Sequence, residues 1–169
     1  MLDETTELRI LLDKQACHET LTRYCRALDW LDEEALKTVF TADADIDYGF
    51  FQGRGDAFIP VVMDIERSFL RRWHLTANAI IQVTSDTAEG ESYGLAAAVA
   101  EREGRMVTDV FGGRYLDRFA RRAGRWWITK RVYVLDWQRS FESDAAAEAM
   151  PGLVWSNGFS PTHALYRKL

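Results

Sequence analysis

Asp29 and His74 are the residues whose types and placement point to chemistry. A carboxylate at a helix end and an imidazole at a strand start can meet where a helix packs on a sheet. Such a contact fixes the imidazole's tautomer and stabilises its protonated form, which makes a general base that works near neutral pH. Asp29 follows Cys25 by four residues and Leu21 by eight, so it continues the apolar face of its helix. A buried carboxylate needs a partner, and Arg131 and His74 are the candidates. Asp32 reads as the N-cap of the next helix, which leaves Asp29 free of that duty. His74 falls with Thr76, Asn78 and Gln82 on one face of a strand, and Leu75, Ala77, Ala79, Ile81 and Val83 form the other. The His74 face is either solvated or lines a polar cavity.

Two further residues join this candidate set. Arg131 shares a strand face, by alternation, with Trp127, Thr129, Tyr133 and Leu135. A cationic fork among apolar groups suits an oxyanion or a leaving group, or else a structural pair with Asp29 or another carboxylate. Tyr24 lies five residues before Asp29 on the same stripe. Its hydroxyl either donates to a leaving oxygen or is a satisfied core group. His18 and His163 have no informative neighbours.

Other chemistries find no support. The chain has no Walker loop, no GxGxxG and no GxSxG elbow. Its three histidines and two cysteines lack zinc spacing, so neither a metal nor a cofactor is predicted. Cys17 and Cys25 are separated by roughly 12 Å along one helix, too far for a disulfide, and read as reduced core residues. The net charge of −5 disfavours nucleic acid. No apolar run approaches a membrane span. The acidic start MLDETTELRI lacks a signal peptide's basic and apolar regions, which predicts a cytoplasmic protein.

The elements that must position these residues follow from periodicity. With 169 residues, 47% of them hydrophobic, one domain with a sizeable core is expected. A first helix runs over about 5–28, its stripe made by Leu8, Leu12, Leu21, Tyr24, Cys25 and Leu28. A short second helix after Asp32 carries Leu36, Val39 and Phe40. Asp43–Gln52 reads as a hairpin turning at Gly49. A third helix has Pro60 in its first turn, where proline is tolerated, and Val62, Ile65, Glu66 and Phe69 on one side. Four long strands follow, at about 73–84, 88–103, 105–122 and 125–138, joined at Ser85-Asp86, Glu103-Gly104 and Ala123-Gly124. Gly112-Gly113 marks a bulge or bend within a strand. From Ser140 a different segment begins: a helical turn or two over 143–150, then Trp155, Phe159 and Tyr166, too apolar to be unpacked. Helices first and a meander of long strands after gives an α+β fold.

These residues together resemble the SnoaL-like branch of the nuclear transport factor 2-like superfamily. The resemblance covers roughly residues 8–139. It is carried by Tyr24 and Asp29, Leu36 to Phe40 with Asp43-Ala44-Asp45, Trp73-His74-Leu75, Gly112 to Phe119, Trp126-Trp127-Ile128, Arg131 and Asp136-Trp137. It implies a cone-shaped α+β barrel, a strongly curved mixed or antiparallel sheet wrapped around three N-terminal helices over residues 1–139. The tail, 140–169, would pack on the barrel or on a neighbouring subunit. The resemblance further implies an apolar cavity and a homo-oligomer, a trimer before a dimer. Bile acid 7α-dehydratase, scytalone dehydratase and hexachlorocyclohexane dehydrochlorinase are the similar enzymes, all cofactor-free lyases. Asp29, His74 and Arg131 match their paired aspartate and histidine and a cavity arginine. Tyr24 stands where the bile acid enzyme has tyrosine and the dehydrochlorinase lysine. The implied activity is a cofactor-free, dehydratase-like lyase acting on a small apolar ring substrate through an Asp–His general base. A polyketide cyclase, a steroid-type isomerase and a non-catalytic ligand-binding domain are the alternatives.

Overall fold

Helix α1 spans Glu4–Asp29 and starts at Asp3, whose side chain accepts from the Thr6 N–H. The computed structural model describes residues 3–143 and 152–169, so most of the helical turn expected over 143–150 lies outside the described residues. Cys17, Leu21, Tyr24, Cys25 and Leu28 bury their side chains in the core, both cysteines free. Leu8 and Leu12, expected on the same stripe, are 54% and 57% exposed. A 26-residue helix is roughly 39 Å long, and its first turns overhang the packed interior. The first buried side chain is Asp13, held by Arg121 and the Trp126 indole N–H.

Helix α2, Glu33–Leu36, is capped by Asp32, which accepts from the Ala35 N–H at 2.9 Å. Val39 and Phe40 are not helical: Phe40 opens β1 (Phe40–Asp47), which pairs with β2 (Gln52–Arg54) around Gly49, φ 74°. Helix α3, Gly55–Arg67, follows β2 without a loop. A Cβ on Gly55 would stand 2.5 Å from the Thr41 carbonyl oxygen, which accounts for glycine at this junction. This early start puts Pro60 at the sixth helical residue rather than in the first turn. The buried face of α3 is Phe58, Ile59, Val62, Met63 and Glu66, while Ile65 turns toward solvent and Phe69 lies beyond the helix end.

The four long strands are β3 (Arg71–Thr84), β4 (Thr87–Arg102), β5 (Arg105–Arg122) and β6 (Arg125–Ser143). Strand β6 runs past residue 139, where the barrel was expected to end. Glu103-Gly104 and Ala123-Gly124 have positive φ at both residues, the backbone that matches the right-handed twist of a tight hairpin. The sheet order is β2-β1-β6-β5-β4-β3, with β1 parallel to β6 and all other pairs antiparallel. Strands β2 and β3 remain edges, so the curved sheet forms an open cone rather than a closed barrel. Helix α1 packs against β3 and β6, and α3 against β1.

Register shifts in β3 and β6 and at the β5 glycines decide which side chains point inward. Between Ala77 and Ile80, β3 carries one residue more than β4, and Asn78 has φ 48°. Inward positions therefore run Arg72, His74, Thr76 and then Ile81. His74 and Ile81, placed on opposite faces by simple alternation, share one side. A second shift at Thr129 puts Trp126, Ile128 and Arg131 in the core and leaves Trp127 outside it. A third, at Gly112-Gly113, lets β6 cross close: a Cβ on Gly113 would lie 2.4 Å from the Val134 carbonyl oxygen. In the tail, Phe159 stacks on Trp30 at 4.2 Å, the Tyr166 hydroxyl donates to the Asp32 carboxylate, and Trp155 lies 4.6 Å under the Arg71 guanidinium. No helix among the described residues is long and apolar enough to cross a membrane.

Candidate active site

Asp29 is the last residue of α1, and β3 delivers His74 to it. Asp29 Oδ1 lies 2.8 Å from His74 Nδ1, and Asp29 Oδ2 accepts from the His74 backbone N–H at 3.3 Å. With Nδ1 held by a carboxylate, the proton that His74 exchanges is the one on Nε2. Opposite Arg72, His74 and Thr76 on β4 stand Ala98, Ala96 and Gly94. Gly94 makes room for the Tyr115 ring, which an added Cβ would meet at 2.6 Å, and α1 packs on β3.

The other side of the imidazole faces a second carboxylate, for which sequence spacing names no partner. Glu66, from the buried face of α3, places Oε1 3.4 Å from His74 Nε2. Arg72 Nε stands 4.0 Å from Glu66 Oε2, and Arg72 Nη2 donates to the Phe69 carbonyl at 2.7 Å. Two carboxylates, one imidazole and one guanidinium thus form a line in which two negative and two positive charges balance. Burial disfavours the imidazolium, but Asp29 and Glu66 outweigh it and lift His74 to about 9. Burial raises the Asp29 carboxyl above its ordinary value, with the His74 contact pulling it back. At neutral pH the resting imidazole is therefore protonated. Both carboxylates favour that proton, Asp29 through the shorter contact.

Arg131 is fully buried and pairs with neither Asp29 nor His74. It makes two 2.7 Å hydrogen bonds to Asp117, its cross-strand neighbour on β5. Its guanidinium is sandwiched between the rings of Tyr24 and Tyr115, at 4.4 and 4.2 Å. Burial disfavours its charge, and Asp117 overcomes this. The Tyr24 hydroxyl is 2.8 Å from that of Tyr48. Burial pushes both phenols above their ordinary range, and the Arg131 charge opposes the rise. Tyr48 stacks on Phe58 and Tyr133, so rings fill the interior here. The four predicted residues thus fall into two groups: Asp29 with His74, and Tyr24 with Arg131.

Glu66, Arg72, Tyr48 and Asp117 complete these groups. Glu66 carried a signal, a carboxylate four residues after Val62 on an apolar helix face. Arg72 carried a weaker one, two residues before His74 in a strand. Cavities of about 490, 380 and 570 Å³ lie away from the dyad: beside Ile80 and Leu116, between Phe40 and Pro60, and between Leu31 and Tyr166. No group of three or more His, Cys, Asp or Glu among the described residues is placed to hold a metal.

Residues 9–132 match the SnoaL-like domain. The chain belongs to this family. Its fold is shared by solved structures of low identity. A protein from Novosphingobium aromaticivorans assigned as a scytalone dehydratase is 22% identical, with 79% of this chain and 91% of that one covered and a TM-score of 0.69. Hexachlorocyclohexane dehydrochlorinase LinA-type3 from Novosphingobium barchaimii is 16% identical, with 80% and 94% covered and a TM-score of 0.70. Kfla4162 from Kribbella flavida is 16% identical, with 76% and 93% covered and a TM-score of 0.69. No curated protein sequence matches this SnoaL-like chain.

Proposed function

We propose that this SnoaL-like protein is a cofactor-free lyase of the dehydratase type, acting on a small, mostly apolar ring compound. The observation that carries the reading is the 2.8 Å contact of Asp29 with His74 Nδ1, which leaves Nε2, beside Glu66 Oε1, as the nitrogen that exchanges a proton and stabilises the cation formed when it does. In the proposed cycle, neutral His74 removes a proton from a carbon next to a carbonyl. The imidazolium then gives that proton to the departing oxygen, which leaves as water while the C=C bond forms. The Tyr24–Tyr48 hydroxyl pair donates to the carbonyl oxygen as it gains charge, and the Arg131 cation beneath Tyr24 supports it. Arg131, with Nε and Nη2 held by Asp117, acts through these phenols rather than on the ligand.

The test is a screen of β-hydroxy cyclic ketones by product mass, followed by Asp29→Asn and His74→Ala. A positioned general base contributes about 10² to 10⁴ in rate, so each variant should lose that much in kcat with KM little changed. Turnover that survives both substitutions sinks the enzyme reading. Product mass equal to substrate mass, with turnover still lost in the variants, selects an isomerase or cyclase instead.

A further inference from the structure

Glu66 and Arg72 are only 6% and 7% exposed, yet they leave three buried polar atoms without a hydrogen-bond partner: Glu66 Oε2, Arg72 Nε and Arg72 Nη1. Such atoms are costly inside a protein. Two of them, Nε and Oε2, are 4.0 Å apart, too far for a direct hydrogen bond; neither is open to solvent, so an oxygen that bridges them enters by parting the two side chains. The two ends have opposite chemistry. A guanidinium only donates, and a carboxylate only accepts. An atom that satisfies both must accept one hydrogen bond and donate another. A hydroxyl does this; a ketone oxygen, an ether or a halide does not, and a carboxylate would be repelled by Glu66. The position has a further meaning, because the other Glu66 oxygen is the one beside His74 Nε2.

We propose that Arg72 and Glu66 form a hydroxyl-binding subsite beside His74, with Arg72 donating a hydrogen bond to the ligand oxygen and Glu66 accepting a hydrogen bond from the ligand's O–H. The inference rests on the lyase reading only in its consequence: the departing group is a hydroxyl, and the substrate is an alcohol rather than a halide. Glu66 thereby has two contacts, Oε1 to the imidazole and Oε2 to the alcohol, which set the leaving oxygen next to the proton it receives. An alcohol seated there satisfies atoms that an analogue without a donor leaves unpaired, and that asymmetry is the source of selectivity.

The subsite is tested with cyclohexanol and cyclohexanone, which have the same ring and nearly the same size. Neither combines a leaving group with an acidic carbon, so binding is read without turnover. Chemical-shift titration of the whole protein should show cyclohexanol bound at least about tenfold more tightly. The double variant Glu66→Leu, Arg72→Met removes both charges together, a change a core accommodates better than loss of one. It should remain folded and lose the alcohol preference. Arg72→Lys, which keeps the charge but not the fork, should reduce the preference and leave the fold intact. Equal affinity of the native protein for the two probes, binding of neither included, overturns the subsite, as does an alcohol preference that survives the double variant. If the subsite fails while Asp29→Asn and His74→Ala still abolish turnover, the lyase reading stands without it. If those variants have no effect but the alcohol preference holds, the subsite stands on a binding protein.

Discussion

The placement of His74 between Asp29 and Glu66 makes the stability of this fold depend on pH in a window set by one residue. The imidazole rises from 6.5 to about 9 on folding, against burial and through the two carboxylates. At 1.36 kcal/mol per unit this is about 3 kcal/mol of preference for the imidazolium in the native state. Because the folded value lies above the unfolded one, the contribution is full below pH 6.5, declines as pH rises toward about 9, and is gone beyond it. Urea unfolding of the native protein and of His74→Asn at pH 6 and pH 10 isolates it: the native protein should lose about 3 kcal/mol more than the variant across that interval. The imidazole Cε1–H resonance should titrate with a midpoint near 9. Asp29→Asn should lower that midpoint more than Glu66→Gln, since the Asp29 contact is 2.8 Å and the Glu66 contact 3.4 Å. A midpoint near 6.5, or equal pH dependence in the native protein and His74→Asn, refutes the reasoning. The same titration bears on catalysis. With a pKa of about 9, roughly one imidazole in a hundred is neutral at pH 7, so kcat/KM of the proposed lyase should rise about tenfold per pH unit below 9.

Other consequences are mechanical. Arg131→Met strands the fully buried Asp117 carboxylate and should cost about 3–5 kcal/mol in denaturant unfolding, with Asp117→Leu in the same chain recovering much of it. Gly113→Ala brings a Cβ to 2.4 Å from a backbone oxygen and should cost about 1–3 kcal/mol. Gly112→Ala meets only the half-exposed Trp137 ring, which can swing away, so its loss should be smaller by thermal unfolding. Phe159→Ala removes the ring stacked on Trp30 and should speed tryptic cleavage at Arg167 and Lys168 with little change in melting temperature.

Much of this architecture is local physics and is legible in the chain. The extents of β3 to β6 follow from alternation bounded by Ser85-Asp86, Glu103-Gly104 and Ala123-Gly124, whose backbone needs are met by the residues themselves. Asp32 caps α2 through a bond to a residue three positions on. Asp29 stands on the buried face of α1 because helical spacing puts it there, and a buried carboxylate requires a partner. What tertiary structure decided was which partner, and which side of each strand. The extra residues near Asn78 and Thr129 invert the parity of everything beyond them, so alternation counted along the sequence misplaced Ile81 relative to His74 and Trp127 relative to Arg131. Arg131 found Asp117 through cross-strand register, a relation no single segment encodes. Glu66 meets His74 across the short connection between α3 and β3, a contact that the periodicity of neither element encodes. Residue types set the available acids and bases; the contacts made across elements determined which imidazole carries a proton at neutral pH and which polar atoms remain for a ligand.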